Sequence, residues 1–341
     1  IRNILLQRPT IGLLPTSAGK SICYQMAALL TPGTTIVVDP IVALMEDQVQ
    51  GLKGYYRIDR VMAWHAGSNI KNEEVGRLLA GNIMVFLSPE RLLRQNFRGA
   101  MSQLKAADIF INYAVIDEAH CVSMWGHSFR PSYLTLDRNF RKFCTYQGHR
   151  PVTVALTGTA SGLVLIDLRR ELNMGDSDTA VVRPDTFDRS ELTFNIVRCP
   201  NNRKDRMLES VLGTIANRLG VTDVSREAWG IVFSYKPKEL SNLLGSFVGT
   251  ADKYVRTVLA SDDLNFVKYG LYSGKSPKVF SFNKKQWSEY KRRTLAAFQR
   301  GQIRMLFGNT AISAGIDNEQ LNYIVNYRMP QSLEDYWLVL Q

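Results

Sequence analysis

The chain is poor in the residues that staple a fold or anchor it in a membrane. It has four cysteines in 341 residues (Cys23, Cys121, Cys144 and Cys199), and no two form a CxxC pair. That spacing suggests neither a zinc ribbon nor a disulfide framework, so no zinc is expected in this stretch and the thiols read as reduced and cytosolic. No apolar run approaches the ~18 residues of a membrane span, so no membrane association is expected. No secretory signal pattern, internal repeat or low-complexity tract is visible. Acidic residues are the other shortage: 31 Asp and Glu stand against 42 Lys and Arg, a formal charge of +11 and a pI of about 9.5. A protein this basic often meets a polyanion, of which nucleic acid is the commonest. A generally basic surface is the plainer alternative.

What is present supports two folded cores. Hydrophobic residues make up 45% of the chain and charged residues 21%, both ordinary for globular domains. A prior of one domain per ~150 residues suggests two. Short apolar runs ending at Pro, Gly, Ser or an acid read as buried strands: "IGLLP", "TTIVVDP", "IMVFLSP", "YAVIDEA" and "TVALTGT". Between them Lys20–Leu30, Ile41–Leu52, Asn72–Ala80 and Leu163–Leu172 read as helices. Buried strands alternating with helices predict a doubly wound parallel sheet. A second series follows "RPDTFDRSELTFNIVR", with strands at "TFNIV", "WGIVFSY", "IRMLFGN" and "NYIVNYR", so a boundary is expected near residues 186–192. Residues 245–295 read as less regular and strongly basic. The chain opens on Ile1 rather than Met and stops at Gln341 inside a helical pattern, so further residues are expected beyond both ends.

"LLPTSAGKSICYQ" follows the first strand and opens a helix, the context a phosphate-binding loop needs. Small residues at Ser17, Ala18 and Gly19 let backbone N–H groups point at phosphate oxygens, and the helix N-terminus adds partial positive charge. Lys20 would reach the β- and γ-phosphates, and the Ser21 hydroxyl would ligate Mg²⁺. Leu14 stands where the first Gly of GxxxxGK[ST] belongs. "YAVIDEAH" is a strand running into two acids. Asp117 at its end would hold Mg²⁺, and Glu118 would act as general base toward the attacking water. Capped, solvated acids at a strand end are the alternative there.

These motifs, with the aromatic stretch "CVSMWGHSFRPSY" after the acids, resemble the RecQ-type DNA helicases of superfamily two. "LLPTSAGKSICYQMAAL" resembles motif I, "VVDPIVALMEDQV" motif Ia and "LSPERL" motif Ib. "DEAHCVSMWGHSFRPSY" resembles motif II with the aromatic-rich loop. "ALTGTA", "GIVFSY" and "NTAISAGIDNEQLNYIVNYRMPQSLEDYW" resemble motifs III, IV and V. The resemblance spans nearly the whole chain. It departs at Asn309, where Thr is common, and at Gly158, where Ala is common. Motif VI, whose arginines are worth about 10³–10⁵ in rate in related NTPases, would follow "SLEDYW", and the sequence ends before it.

The resemblance implies two RecA-like domains in tandem: residues 1–188 carrying the nucleotide site, and residues 189–341 carrying the later motifs. It implies ATP and Mg²⁺ as cofactors. Nucleotide would be held by Pro15, Thr16, Ser17, Ala18, Gly19, Lys20 and Ser21, with Gly315 and Asp317 from the second domain. Lys20, Asp117 and Glu118 would be catalytic, and Ser21 and Asp117 would hold the metal. Single-stranded or partly duplex DNA would contact Trp125, His127, Phe129 and Arg130 of the aromatic loop, with Ser88 and Arg91 of motif Ib. Stacking on Trp125 or Phe129 tolerates any base and contributes ~1–3 kcal/mol per base; core packing is the ordinary alternative for both rings. Movement would run 3′ to 5′, and basic residues 275–293 would add phosphate contacts or form a solvated insertion. Two other readings stay open: a DNA-binding subunit with weak or partner-regulated ATPase in a repair or phage-defence complex, and an RNA helicase. The expected location is the cytoplasm (nucleoid) of a bacterium or the nucleus of a eukaryote.

Overall fold

In the computed structural model, the described residues are 1–14, 18–65, 67–68, 70–123, 132–158, 162–175, 179–184, 192–260, 268–309, 312 and 320–329. The chain divides into two compact units, Ile1–Arg189 and Ser190–Gln341.

Unit 1 is built on a parallel sheet. Its strands are β1 (Thr10–Leu13), β2 (Thr34–Val38), β3 (Val61–Trp64), β4 (Met84–Leu87), β5 (Ile111–Ile116), β6 (Val152–Thr157) and β7 (Ala180–Val182). Among the described residues their order is β3-β4-β2-β5-β6-β1-β7. The helices are α1 (Arg2–Leu5), α2 (Lys20–Leu30), α3 (Val42–Gly54), α4 (Asn72–Gly81), α5 (Gln95–Ala106), α6 (Leu136–Asn139) and α7 (Gly162–Glu171). Central strands β2, β5 and β6 are buried at every position because both faces are covered. Alternate residues feed different cores: Ile36 and Val38 of β2 with Ala114 and Ile116 of β5 on one side, Val37 with Tyr113 and Val115 on the other. This is the doubly wound sheet that the alternating pattern predicts.

One strand was not expected. The strand β3, "VMAW", is short and buried only at its two ends, too weak a pattern to be read in advance. The strands ending in the phosphate loop and the acids are not neighbours, since β6 lies between β1 and β5.

Unit 2 has strands β8 (Trp229–Phe233), β9 (Tyr269–Tyr272), β10 (Met305–Gly308) and β11 (Leu321–Asn326), parallel and ordered β11-β8-β10-β9 among the described residues. Its helices are α8 (Lys204–Leu219), α9 (Val224–Glu227), α10 (Pro237–Val248), α11 (Ala251–Ala260) and α12 (Lys284–Gln299). The "TFNIV" run forms no regular element; it is exposed at residues 193–197. Its β-branched residues satisfy strand propensity, but propensity does not make a strand without a paired, half-buried surface. Residues 245–295 are more regular than their charge suggests, because they contain α11, β9 and most of α12. In α12 an Asn283–Gln286 capping box starts the helix. Trp287, Tyr290, Thr294, Ala297 and Phe298 then bury one face at helical spacing, while Lys284, Lys285 and Arg292 are exposed. The basic residues are largely the solvent side of an amphipathic helix.

Candidate nucleotide site

The site of unit 1 grows out of the C-terminal ends of β1, β2, β5 and β6. Beyond β1, Leu14 N–H donates to Thr157 O at 3.0 Å, tying the start of the phosphate loop to the end of β6. Gly19 is the N-cap of α2, with φ 74 and ψ 36, a left-handed conformation that glycine adopts without strain. No side chain caps this 11-residue helix, so its first-turn N–H groups are available to an anion. Lys20 opens the helix, and its Nζ lies 2.9 Å from Glu118 Oε1, both side chains being mostly buried.

The acids stand one residue past β5. Asp117 N–H donates to Val38 O at 2.9 Å, extending the sheet's hydrogen bonding to the carboxylate itself. Asp117 Oδ1 then accepts from Glu118 N–H at 2.9 Å. Glu118 has φ 46 and ψ 49. A left-handed glutamate costs on the order of 1–2 kcal/mol, and such strain clusters at functional sites. His120 Nδ1 lies 3.3 Å from Glu118 Oε2 and 3.0 Å from Thr157 Oγ1, bridging the acid to β6. Neither His120 nor Thr157 was marked by the sequence reading.

A third acid was also missed. Asp39, one residue past β2, is 1% exposed, and its Oδ1 accepts from Ile41 N–H at 2.8 Å. Burial first, and then Asp117, push its carboxyl well above the ordinary range. Asp117 is likewise raised, by burial and then by Glu118. Burial would raise Glu118 too, but the His120 hydrogen bond and the Lys20 charge outweigh it and hold that carboxyl below the ordinary range. Three acids thus share one lysine in a poorly hydrated spot. That surplus of hard anionic oxygen, with Ser21 Oγ nearby, suits Mg²⁺. Among the described residues no group of three or more His, Cys, Asp or Glu is arranged to hold a metal alone.

Of the predicted site residues, Ala18, Gly19, Lys20, Ser21, Asp117 and Glu118 are described, and Lys20 and Glu118 meet. Pro15, Thr16, Ser17, Trp125, His127, Phe129, Arg130, Gly315 and Asp317 lie outside the described residues. Ser88 is 8% exposed. Arg91 donates to His65 O and lies 5.1 Å over the Trp64 ring, so its guanidinium holds the segment after β3. The residues flanking the aromatic stretch are anchored. Ser123 Oγ donates to Asp167 Oδ2 at 2.5 Å, and Ser132 Oγ lies 3.5 Å from Glu90 Oε1.

Comparison with known proteins assigns the class. Residues 1–166 match the DEAD/DEAH box helicase family, and residues 249–339 match the helicase conserved C-terminal domain. Solved structures agree in fold: the DUF1998 helicase MrfA at TM-score 0.69 and 15% identity, covering 99% of this chain and 44% of that one, and Dbp5 of S. cerevisiae at TM-score 0.63 and 14% identity, covering 98% and 76%. The chain folds as the two RecA-like domains of a helicase core. Among curated proteins it is 29% identical over 333 residues to the ATP-dependent DNA helicase RecQ of Bacillus subtilis, covering 96% of this chain and 47% of the relative. It is 28% identical to the probable ATP-dependent DNA helicase RecS of the same organism, covering 98% and 58%. These matches support a RecQ-type superfamily-two helicase core, and the chain spans about half the length of the curated relatives it matches.

Proposed function

We propose that this chain is the motor of an ATP-dependent DNA helicase, coupling ATP hydrolysis to 3′-to-5′ movement on single-stranded DNA. The observation that carries the reading is the meeting of Lys20 and Glu118, 98 residues apart in sequence and 2.9 Å apart in space, at the open end of α2 and beside Asp117. Lys20 reaches the phosphates by exchanging Glu118 for a phosphate oxygen. Ser21 Oγ and Asp117 would hold Mg²⁺, which would neutralise phosphate charge. Glu118, released from Lys20 and oriented by His120, accepts the proton of the attacking water. The aromatic residues Trp125 and Phe129 stack on bases, and the net charge of +11 favours the phosphate backbone. RecQ of Bacillus subtilis, a DNA helicase by name, supports DNA rather than RNA as the track.

The test is strand displacement on partial duplexes carrying a 3′ or a 5′ single-stranded tail, in DNA and in RNA. The reading predicts ATP-dependent displacement of the 3′-tailed DNA alone. Displacement of RNA at equal rate, or of the 5′-tailed DNA alone, contradicts it. Salt-sensitive DNA binding without turnover supports a DNA-binding subunit that depends on a protein partner.

A further inference from the structure

Gln48 lies on α3 and reaches across to α2. Its Oε1 accepts from the Tyr24 hydroxyl at 2.8 Å and from Gln25 Nε2 at 3.2 Å. Two donors converging on one oxygen fix which way the amide faces. The carbonyl must point at α2's second turn, and the NH₂ is turned toward the helix start. There Gln48 Nε2 donates to Ser21 Oγ at 3.3 Å. Tyr24 is fully buried, so water cannot substitute for its hydroxyl in this network. It also lies against Asp117, whose carboxylate is among its electrostatic partners.

A serine hydroxyl has one O–H and two lone pairs, on a side chain with three staggered rotamers. Accepting from Gln48 selects one rotamer and occupies one lone pair. The O–H and the second lone pair then share the two remaining tetrahedral positions. We propose that Gln48 is a positioning residue that holds Ser21 Oγ in the rotamer needed to ligate the divalent cation, with Tyr24 and Gln25 setting the orientation of its amide. The role rests on the reading of Ser21 as a Mg²⁺ ligand. It gives a function to the glutamine of "MEDQV", whose side chain lies on α3, outside the phosphate loop.

The experiment measures binding of a fluorescent ATP analogue to the whole chain, once with Mg²⁺ and once with EDTA. Wild type is expected to bind more tightly with Mg²⁺. Gln48→Leu keeps the bulk and removes all three hydrogen bonds. It is expected to weaken binding in Mg²⁺ by about five- to tenfold, the scale of one lost hydrogen bond, and to leave binding in EDTA unchanged. Tyr24→Phe is expected to shift binding the same way by less. Adding Gln48→Leu to Ser21→Ala is expected to do nothing further, since the glutamine acts through that hydroxyl. Thermal melts check folding, and Gln48→Met replaces Gln48→Leu if the latter does not fold. Equal weakening with and without Mg²⁺, no weakening, or additive effects in the double variant overturn the proposal alone. A wild type indifferent to Mg²⁺ overturns the reading of Ser21 and the proposal with it.

Discussion

Removing a charge from the acid cluster should stabilise the protein while abolishing turnover, and Asp117→Asn is the sharpest case. Asp39, Asp117 and Glu118 crowd around one lysine, and Asp39 and Asp117 are buried. A carboxyl held above its ordinary range by burial and a like charge costs stability whenever it is ionised. For an elevation like that of Asp117 the cost is on the order of 1–3 kcal/mol at neutral pH. Asparagine keeps an Oδ1 that can accept from Glu118 N–H, so the local backbone need not move. The melting temperature should rise by about 2–4 °C per kcal/mol gained, for a unit of this size. The gain should shrink as pH falls. A carboxyl with a raised folded-state pKa takes up its proton in the folded protein before the unfolded one, so acid relieves the wild type of the same cost. Lys20→Ala should have the opposite sign, because it leaves the acids with less compensation. The assay is a thermal melt of both variants without nucleotide at pH 7 and pH 5, alongside ATP hydrolysis. An Asp117→Asn protein less stable than wild type at pH 7, with its fold intact, refutes the electrostatic account.

Other consequences follow from unit 2. A Cβ on Gly230 would run into the ring of Tyr323 across the β8–β11 pair, so Gly230→Ala should destabilise by about 1–3 kcal/mol, read by urea unfolding. Asn283→Ala removes the α12 cap and should cost about 1 kcal/mol by the same measurement. Arg328 Nε lies 2.6 Å from Glu239 Oε2, and that hydrogen bonding, more than any other cause, lowers the Glu239 carboxyl. A lowered carboxyl gives stability above the ordinary glutamate pKa and loses it as pH falls through the folded-state value. Arg328→Ala should therefore lower the melting temperature slightly at pH 7, since solvent screens a partly exposed pair, and not at all in strong acid.

The parts of the fold set by local pattern were legible, and those set by pairing were not. Lys20–Leu30 was read to the residue because a glycine-led turn and an apolar stripe mark it, and β2, β4, β5 and β6 announced themselves as short, largely apolar runs rich in β-branched residues. The strands β3 and β9 have four residues each and carry no such signal. The "TFNIV" run had the composition of a strand and is not one. At the site, Lys20, Asp117 and Glu118 were legible because glycine-lysine-serine and paired acids have few other uses at strand ends. Asp39, His120 and Gln48 were not, since a lone acid after a strand, a buried histidine and a glutamine on a helix acquire meaning only when β2, β6 and α3 bring them to the others.

The central claim is that this core is a DNA-driven ATPase, and the most direct test is Mg²⁺-dependent ATP hydrolysis by the whole chain with and without single-stranded DNA, using Lys20→Ala as the blank. The account predicts hydrolysis that DNA stimulates and that the lysine variant abolishes. Hydrolysis that ignores DNA, or that survives Lys20→Ala, contradicts it.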